Sequence, residues 1–191
     1  MKKAIFGYGG HAREVISFLG ENVDIFVDDK FSNDFLKPIS SFDPEIYEIM
    51  ICLGESSLRK KVKESLPNNT KYFSFIHPTS IVSDDVEIGE GTYIGPYSIL
   101  TTNIKLGNHC ILNRVVQIGH DSTIGDFFSA MPGSIVSGNC EIGDSVYLGS
   151  NSSVREKSKI TDDVIVGLNS GVVKNITESG TYVGIPVKKI K

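Results

Sequence analysis

From Val82 to Val172 an aliphatic residue returns at every sixth position without a break, and no other feature limits the fold of this chain so severely. Counting in sixes gives Val82, Ile88, Ile94, Leu100, Leu106, Leu112, Ile118, Ile124, Ala130, Val136, Ile142, Leu148, Val154, Ile160, Val166 and Val172, sixteen positions of which only Ala130 is not Val, Ile or Leu. The next residue is glycine eight times, at Gly89, Gly95, Gly107, Gly119, Gly125, Gly143, Gly149 and Gly167. Four places after the aliphatic, small or branched residues dominate, as at Thr92, Ser98, Cys110, Ser122, Ser134, Cys140, Ser152, Ser158 and Ser170. A period of six is not that of an amphipathic helix, whose apolar positions recur near 3.6. It suits a coil of short strands joined by tight turns, each strand pointing one aliphatic inward, and so a hexapeptide β-helix. The glycines are expected to supply turn conformations that a Cβ resists.

Residues 1–74 follow another pattern. "KKAIF" reads as a strand, followed by "GYGGH" and a helical run "AREVISFLG". "VDIFVDD" and "IYEIMICLG" read as further strands, "SSLRKKVKESL" as a helix capped by Ser56 or Ser57, and "KYFSFI" as a fourth strand. Strand–helix alternation predicts a small parallel α/β layer. "HPTSIVSDD" joins the halves, with Pro78 marking the break. The fold class expected is therefore α/β followed by all-β, divided into residues 1–74 and 75–191.

The segment "GYGGHA" fits G-x-G-x-x-A through Gly7, Gly9 and Ala12, placed between a strand and a helix. Glycines there let backbone approach a phosphate, and a helix N-terminus favours its negative charge. Asp28 and Asp29 end the second strand, where a carboxylate can accept hydrogen bonds from ribose or base. By pattern this fits an NAD site or a ligand-free tight turn. The short length of the segment, which holds one mononucleotide-binding half, favours a nucleotide attached to something smaller.

Net charge is −4 and the lysines are scattered, which argues against a nucleic-acid surface. The apolar run near the start stops at Gly7, too early for a signal peptide, and no stretch approaches the length needed to span a bilayer. No membrane insertion and a cytoplasmic location are expected. Cys52, Cys110 and Cys140 form no CxxC pair and are expected to be buried, reduced thiols.

The short α/β start with G-x-G-G-H, the aspartate pair, "ICLGESSLRKKV", "HPTSIV", hexads containing "GHDSTIGD" and the closing "GTYVGIPVKKI" together resemble the bacterial sialic acid and nucleotide-amino-sugar acetyltransferases. The resemblance covers nearly the whole chain. It implies a Rossmann-like first domain and a left-handed β-helix of eighteen residues per coil. It implies acetyl-CoA as co-substrate, no metal, a homotrimer, and N-acetylation of a nucleotide-linked 4-amino-4,6-dideoxy sugar for surface-polysaccharide or protein-glycan synthesis. The family's general base falls on His120, with Asp121 beside it. Its sugar-nucleotide contacts fall on Gly9, Gly10, His11, Asp28, Asp29 and Gly54. Its acetyl-CoA contacts fall on Ser129, Gly138, Ser150 and Leu168, although a relative has histidine where Ser129 stands. With eighteen residues per coil, His120 lies one coil below Gly138, and Ser150 lies between Pro132 and Leu168 in a neighbouring column. Glycine above the histidine is expected to leave room for substrate, and its amide to face a developing oxyanion.

Acetyl transfer to an amine needs a group that takes the amine's proton near neutral pH, which histidine does. Asp121 would hold the ring's tautomer or stabilise the imidazolium. His109 is expected at the surface or an interface, and His77 in a structural role. A zinc enzyme needs three converging histidines, and the repeat holds only His109 and His120. Two other classes stay open: sialic acid O-acetylation, and a non-catalytic sugar-nucleotide scaffold.

Overall fold

A computed structural model describes residues 1–20 and 23–191. The chain divides into two units, Met1–Ser74 and Phe75–Lys191.

The first unit carries a five-stranded parallel sheet. Its elements are β1 (Lys2–Phe6), α1 (Gly10–Leu19), β2 (Asp24–Val27), β3 (Lys37–Pro38), β4 (Tyr47–Ile51), α2 (Ser56–Ser65) and β5 (Lys71–Tyr72). The strand order is β3-β2-β1-β4-β5, with β1 at the centre. Both faces of the apolar run "AIF" in β1 are covered, as expected for a central parallel strand. Phe26 packs edge-on to Phe42 and Tyr47, with centroids 5.4 and 5.2 Å away, in a cluster that also holds Ile49, Ile51 and Leu66. Gly20 ends α1 in the left-handed conformation, φ 61°. Two sequence expectations change here. Glu55, not Ser56 or Ser57, stands at the cap position of α2, and Ser57 hydrogen-bonds the Glu55 carboxylate instead. "KYFSFI" is not one strand: Lys71–Tyr72 joins the first sheet and Phe75–Ile76 the second unit.

The second unit is a three-faced β-helix, mostly of two-residue parallel strands, with sheets of six, five and eight strands; in the last, Lys188–Lys189 pairs antiparallel with Gly180–Val183. Pairing is in register at eighteen residues, as in Ile99 to Gln117 to Ile135. One face runs through Ile81, Ile99, Gln117, Ile135, Ser153 and Gly171, and is here the middle face. The next, a charged face, runs through Glu87, Lys105, Thr123, Glu141 and Lys159. The third runs through Phe75, Tyr93, Ile111, Ser129, Tyr147 and Ile165. The aliphatic ladder from Ile94 to Val172 fills the core, interleaved with residues four places further on such as Ile104, Cys110, Val116 and Phe128. At three serines in that second position the hydroxyl donates to a carbonyl of the next coil: Ser98 to Asn113 at 2.9 Å, Ser122 to Ser137 at 3.3 Å and Ser134 to Gly149 at 3.1 Å. All three cysteines are buried, and none is in a disulfide. Neither helix is long and apolar enough to cross a membrane.

The glycines play a different part from the one the repeat suggests. The left-handed position is the third residue after the aliphatic, and twelve non-glycine residues hold it, among them Asn103, His109, Asp121, Phe127 and Asn139, with φ of 52, 53, 59, 57 and 60°. Only Gly91 and Gly133 occupy this position as glycines. The conformation turns each amide along the prism axis onto the preceding coil, as His109 N–H to Glu90 O at 2.7 Å and Asp121 N–H to Thr102 O at 3.1 Å. Stacking thus over-determines a backbone state that L-residues otherwise avoid. The recurrent glycines directly after the aliphatic have ordinary φ. A Cβ there would lie 2.5 Å from backbone of the next coil at Gly89, Gly119 and Gly149. They permit close stacking of coils.

Candidate active site

His120 and Asp121 form the corner that joins the middle face to the charged face. Gly119 lets this corner approach the next coil, and the left-handed Asp121 folds its carboxylate back toward the preceding side chain. Oδ2 of Asp121 lies 2.7 Å from Nδ1 of His120, and Oδ1 accepts Nδ2–H of Asn103 at 2.7 Å. The Asn103 amide first, and His120 second, hold the Asp121 carboxyl below the usual carboxylate range. An ionised carboxylate only accepts, so Nδ1 carries a proton and Nε2 of the neutral ring keeps its lone pair. The two side chains are 56% and 45% exposed, so water and small reactants reach them.

Gly138 lies one coil beyond. A Cβ on it would sit 2.6 Å from Nε2 of His120. The space the glycine leaves is therefore filled by the imidazole itself, which corrects the expectation that it is left for substrate. The Gly138 N–H has no hydrogen-bond partner among the described residues.

Ser150 and Leu168 stack on the other edge of the middle face, where Ser150 O accepts the N–H of Asn169 at 2.8 Å and Leu168 is 69% exposed. The structure therefore places them on a different edge from His120 and Gly138. Ile81, Ile99 and Ile135 are exposed on the face between. Ser129 is fully buried, which corrects its assignment as a co-substrate contact: no ligand reaches it. His109 is also buried, stacked on Phe127 with centroids 5.1 Å apart, and is not a surface residue. Asn103 escapes sequence reading because it lies eighteen residues from Asp121; coil-stacking arithmetic applied backward from Asp121 finds it.

In the first unit Gly9 caps α1 and Gly10 opens it, and a Cβ on Gly9, Gly10 or Gly54 would meet nothing within 4 Å. These glycines border open space. The tight one is Gly7, at φ 109°, whose Cβ would lie 3.3 Å from Cys52 O. Arg59, buried in α2, donates from Nη1 to Leu53 O at 2.7 Å and Gly54 O at 3.1 Å, which pins that loop. Burial, with the Arg59 charge second, pushes the His11 pKa down to about 4, so this ring is neutral at neutral pH, and both of its nitrogens are buried. The adjacent aspartates differ. Asp29 Oδ1 accepts Ser40 N–H at 3.0 Å, whereas the Asp28 carboxylate has no partner among the described residues.

The charged face carries an open groove of about 790 Å³, bounded on one side by Asp121 and Asn139 and floored by the Glu141–Lys159 ion pair at 2.7 Å. No family model matches the chain. It is 27% identical over 173 residues to the GDP-perosamine N-acetyltransferase of Escherichia coli O157:H7, covering 80% of this chain and 77% of that protein. The acetyltransferase domain of PglB from Neisseria gonorrhoeae FA1090, solved in complex with acetyl coenzyme A, superposes with a TM-score of 0.87 at 25% identity over 99% of this chain and 98% of that one. Over most of its length the chain is thus similar to an N-acetyltransferase of a nucleotide-linked amino sugar and to an acetyltransferase domain that binds acetyl coenzyme A. It also matches UDP-3-O-acylglucosamine N-acyltransferase 1 of Sulfurimonas denitrificans at 33% identity over 107 residues, 56% of this chain, but spans only 33% of that protein. Of these likenesses, that to the PglB acetyltransferase domain extends over nearly the whole chain.

Proposed function

We propose that the chain transfers the acetyl group of acetyl-CoA to the amino group of a nucleotide-linked amino sugar of the 4-amino-4,6-dideoxy type, in the making of surface-polysaccharide or protein-glycan precursors. The observation that carries this reading is the His120–Asp121 pair, with Nδ1 bonded to the carboxylate at 2.7 Å and Nε2 left as the base. The amine nitrogen bonds to the acetyl carbonyl carbon, its proton passes to Nε2, the carbon–sulfur bond breaks, and the imidazolium returns the proton to the leaving thiolate. Asp121 stabilises the imidazolium formed on the way. The unpartnered Gly138 N–H supports a role as donor to the developing oxyanion.

The first unit is read as a Rossmann-like nucleotide site: Gly9, Gly10 and Gly54 border it, and Asp28 supplies the free carboxylate. Ser150 and Leu168 are read as acetyl-CoA contacts. Because they lie on a different edge from His120, the reading favours a homotrimer of left-handed prisms in which neighbouring copies share each groove, working in the cytoplasm. The test is a panel of UDP-, GDP- and dTDP-linked 4-amino sugars, with free sialic acid as the hydroxyl acceptor, assayed for thiol release from acetyl-CoA. At least one amino-sugar nucleotide is expected to turn over. Turnover of sialic acid alone, or of nothing, overturns the reading.

A further inference from the structure

We propose that Asn103 is a positioning residue for this reaction, acting through Asp121 to keep the His120 proton on Nδ1 and the lone pair on Nε2. The inference rests on the functional reading only in supposing that His120 is the base; the tautomer lock stands on geometry.

Asp121 is 45% exposed, so no packing fixes the plane of its carboxylate. Bonded at one oxygen only, that carboxylate could rotate and leave Nδ1. The second bond, from Asn103 Nδ2 at 2.7 Å, arrives from the coil below and holds the other oxygen. Two donors on two coils then define the plane. Asn103 is itself anchored: its backbone N–H donates to Asp85 Oδ2 at 3.0 Å, and the adjacent Thr102 hydroxyl bonds the same oxygen. Its left-handed φ of 52° suits asparagine and aims the side chain along the corner. The chain Asp85–Asn103–Asp121–His120 thus climbs one prism edge. An ionised carboxylate cannot donate, so the asparagine must present its NH₂, and the imidazole must present N–H. Which ring nitrogen of a histidine carries the proton is set by the hydrogen bond the other makes.

Two substitutions isolate the amide. Asn103→Gly removes it and keeps the backbone, since Gly91 and Gly133 hold the equivalent corner position in this chain. Asn103→Asp keeps the shape and the left-handed preference but turns the donor into an acceptor. The imidazole ¹⁵N shifts of His120 in the substrate-free protein, assigned with His120→Gln, report the tautomer. The wild type is expected to be protonated at Nδ1, and both variants to populate both tautomers. In turnover, kcat is expected to fall roughly 5- to 30-fold, part of the 10²–10⁴ that a general base contributes, with KM for both substrates within about twofold. An unchanged tautomer overturns the proposal, whether or not kcat falls, and so does a full kcat in both variants. If the tautomer shifts but no protein, wild type included, transfers acetyl groups, the lock stands and the functional reading fails.

Discussion

His109 and His120 lie eleven residues apart in one solenoid, each packed against a glycine of an adjacent coil, and they end in opposite surroundings. His109 is the third residue after Leu106, the left-handed place; it is 2% exposed and stacked on Phe127. His120 is the second residue after Ile118, so Asp121 takes the left-handed place and the histidine side chain stays 56% exposed with a carboxylate on Nδ1. A shift of one hexad place separates a ring packed as an aromatic from a ring set up as a base. In this repeat the place along the hexad decides what a corner side chain can do, and the residue type alone does not.

The comparison breaks most sharply at the histidines themselves. His120→Ala is expected to lower kcat by roughly 10² to 10⁴ while leaving the unfolding midpoint nearly unchanged, because an exposed corner side chain adds little to the ladder. His109→Ala is expected to do the reverse. It empties a buried, stacked position and puts alanine at positive φ, for a loss of roughly 2–4 kcal/mol in denaturant unfolding, with kcat per folded molecule retained. Equal loss of activity in both would mean that hexad place does not separate the roles.

His11 sharpens the comparison from the other unit. Burial, with the Arg59 charge second, lowers its folded-state pKa from 6.5 to about 4. Above pH 6.5 both folded and unfolded rings are neutral and stability is complete. As pH falls from 6.5 toward about 4 the unfolded ring takes a proton that the folded ring refuses, and stability drops. At about 1.4 kcal/mol per pH unit the loss approaches about 3 kcal/mol at the lower end. His11→Gln is expected to be the flatter of the two when urea unfolding is compared at pH 7 and pH 5. A wild type no more acid-sensitive than the variant would place His11 in contact with water.

The sequence made the ladder legible because a six-residue aliphatic period fits no helix, and it pointed to His120 and Asp121 because a repeat that only has to pack needs neither residue type. It misled on the glycines. Spacing shows that a residue is small and leaves open whether the missing Cβ relieves φ or a neighbouring coil; here it relieves the coil, as at Gly119 against Gly138 N. Lys37–Pro38 went unseen because a two-residue edge strand containing proline has no period. The burial of Ser129 and the reach of Asn103 to Asp121 depend on residues far along the chain, and no local window contains them.

Gly138→Ala tests the same logic one coil up. The new Cβ would stand 2.6 Å from Nε2, so the ring must move or lose its open nitrogen. We expect kcat to fall roughly 10- to 100-fold, less than removal of the base itself, with the fold kept because φ at Gly138 is ordinary. Unchanged kcat would mean that the imidazole works from another rotamer.

The smallest effect is expected at Asp28 and Asp29, neighbours that divide structure from binding as His109 and His120 do. Asp29 spends one carboxylate oxygen on the Ser40 N–H, and that bond, the largest cause, holds its carboxyl below the usual range. Removing it leaves an amide of the β3-to-β4 connection without its partner. Asp29→Ala should therefore lower the unfolding midpoint. Asp28 is exposed, its carboxylate has no partner among the described residues, and it directly follows β2, which pairs with the strand that leads into Gly7. Asp28→Ala should leave the midpoint alone and raise KM for the sugar nucleotide roughly tenfold, the loss of about one charge-assisted hydrogen bond. KM for acetyl-CoA should stay put, since Ser150 and Leu168 belong to the other unit. If both variants raise the sugar-nucleotide KM equally with no change in stability, the Ser40 bond is incidental and the two aspartates bind as a pair. If neither raises it, the nucleotide does not use the end of β2.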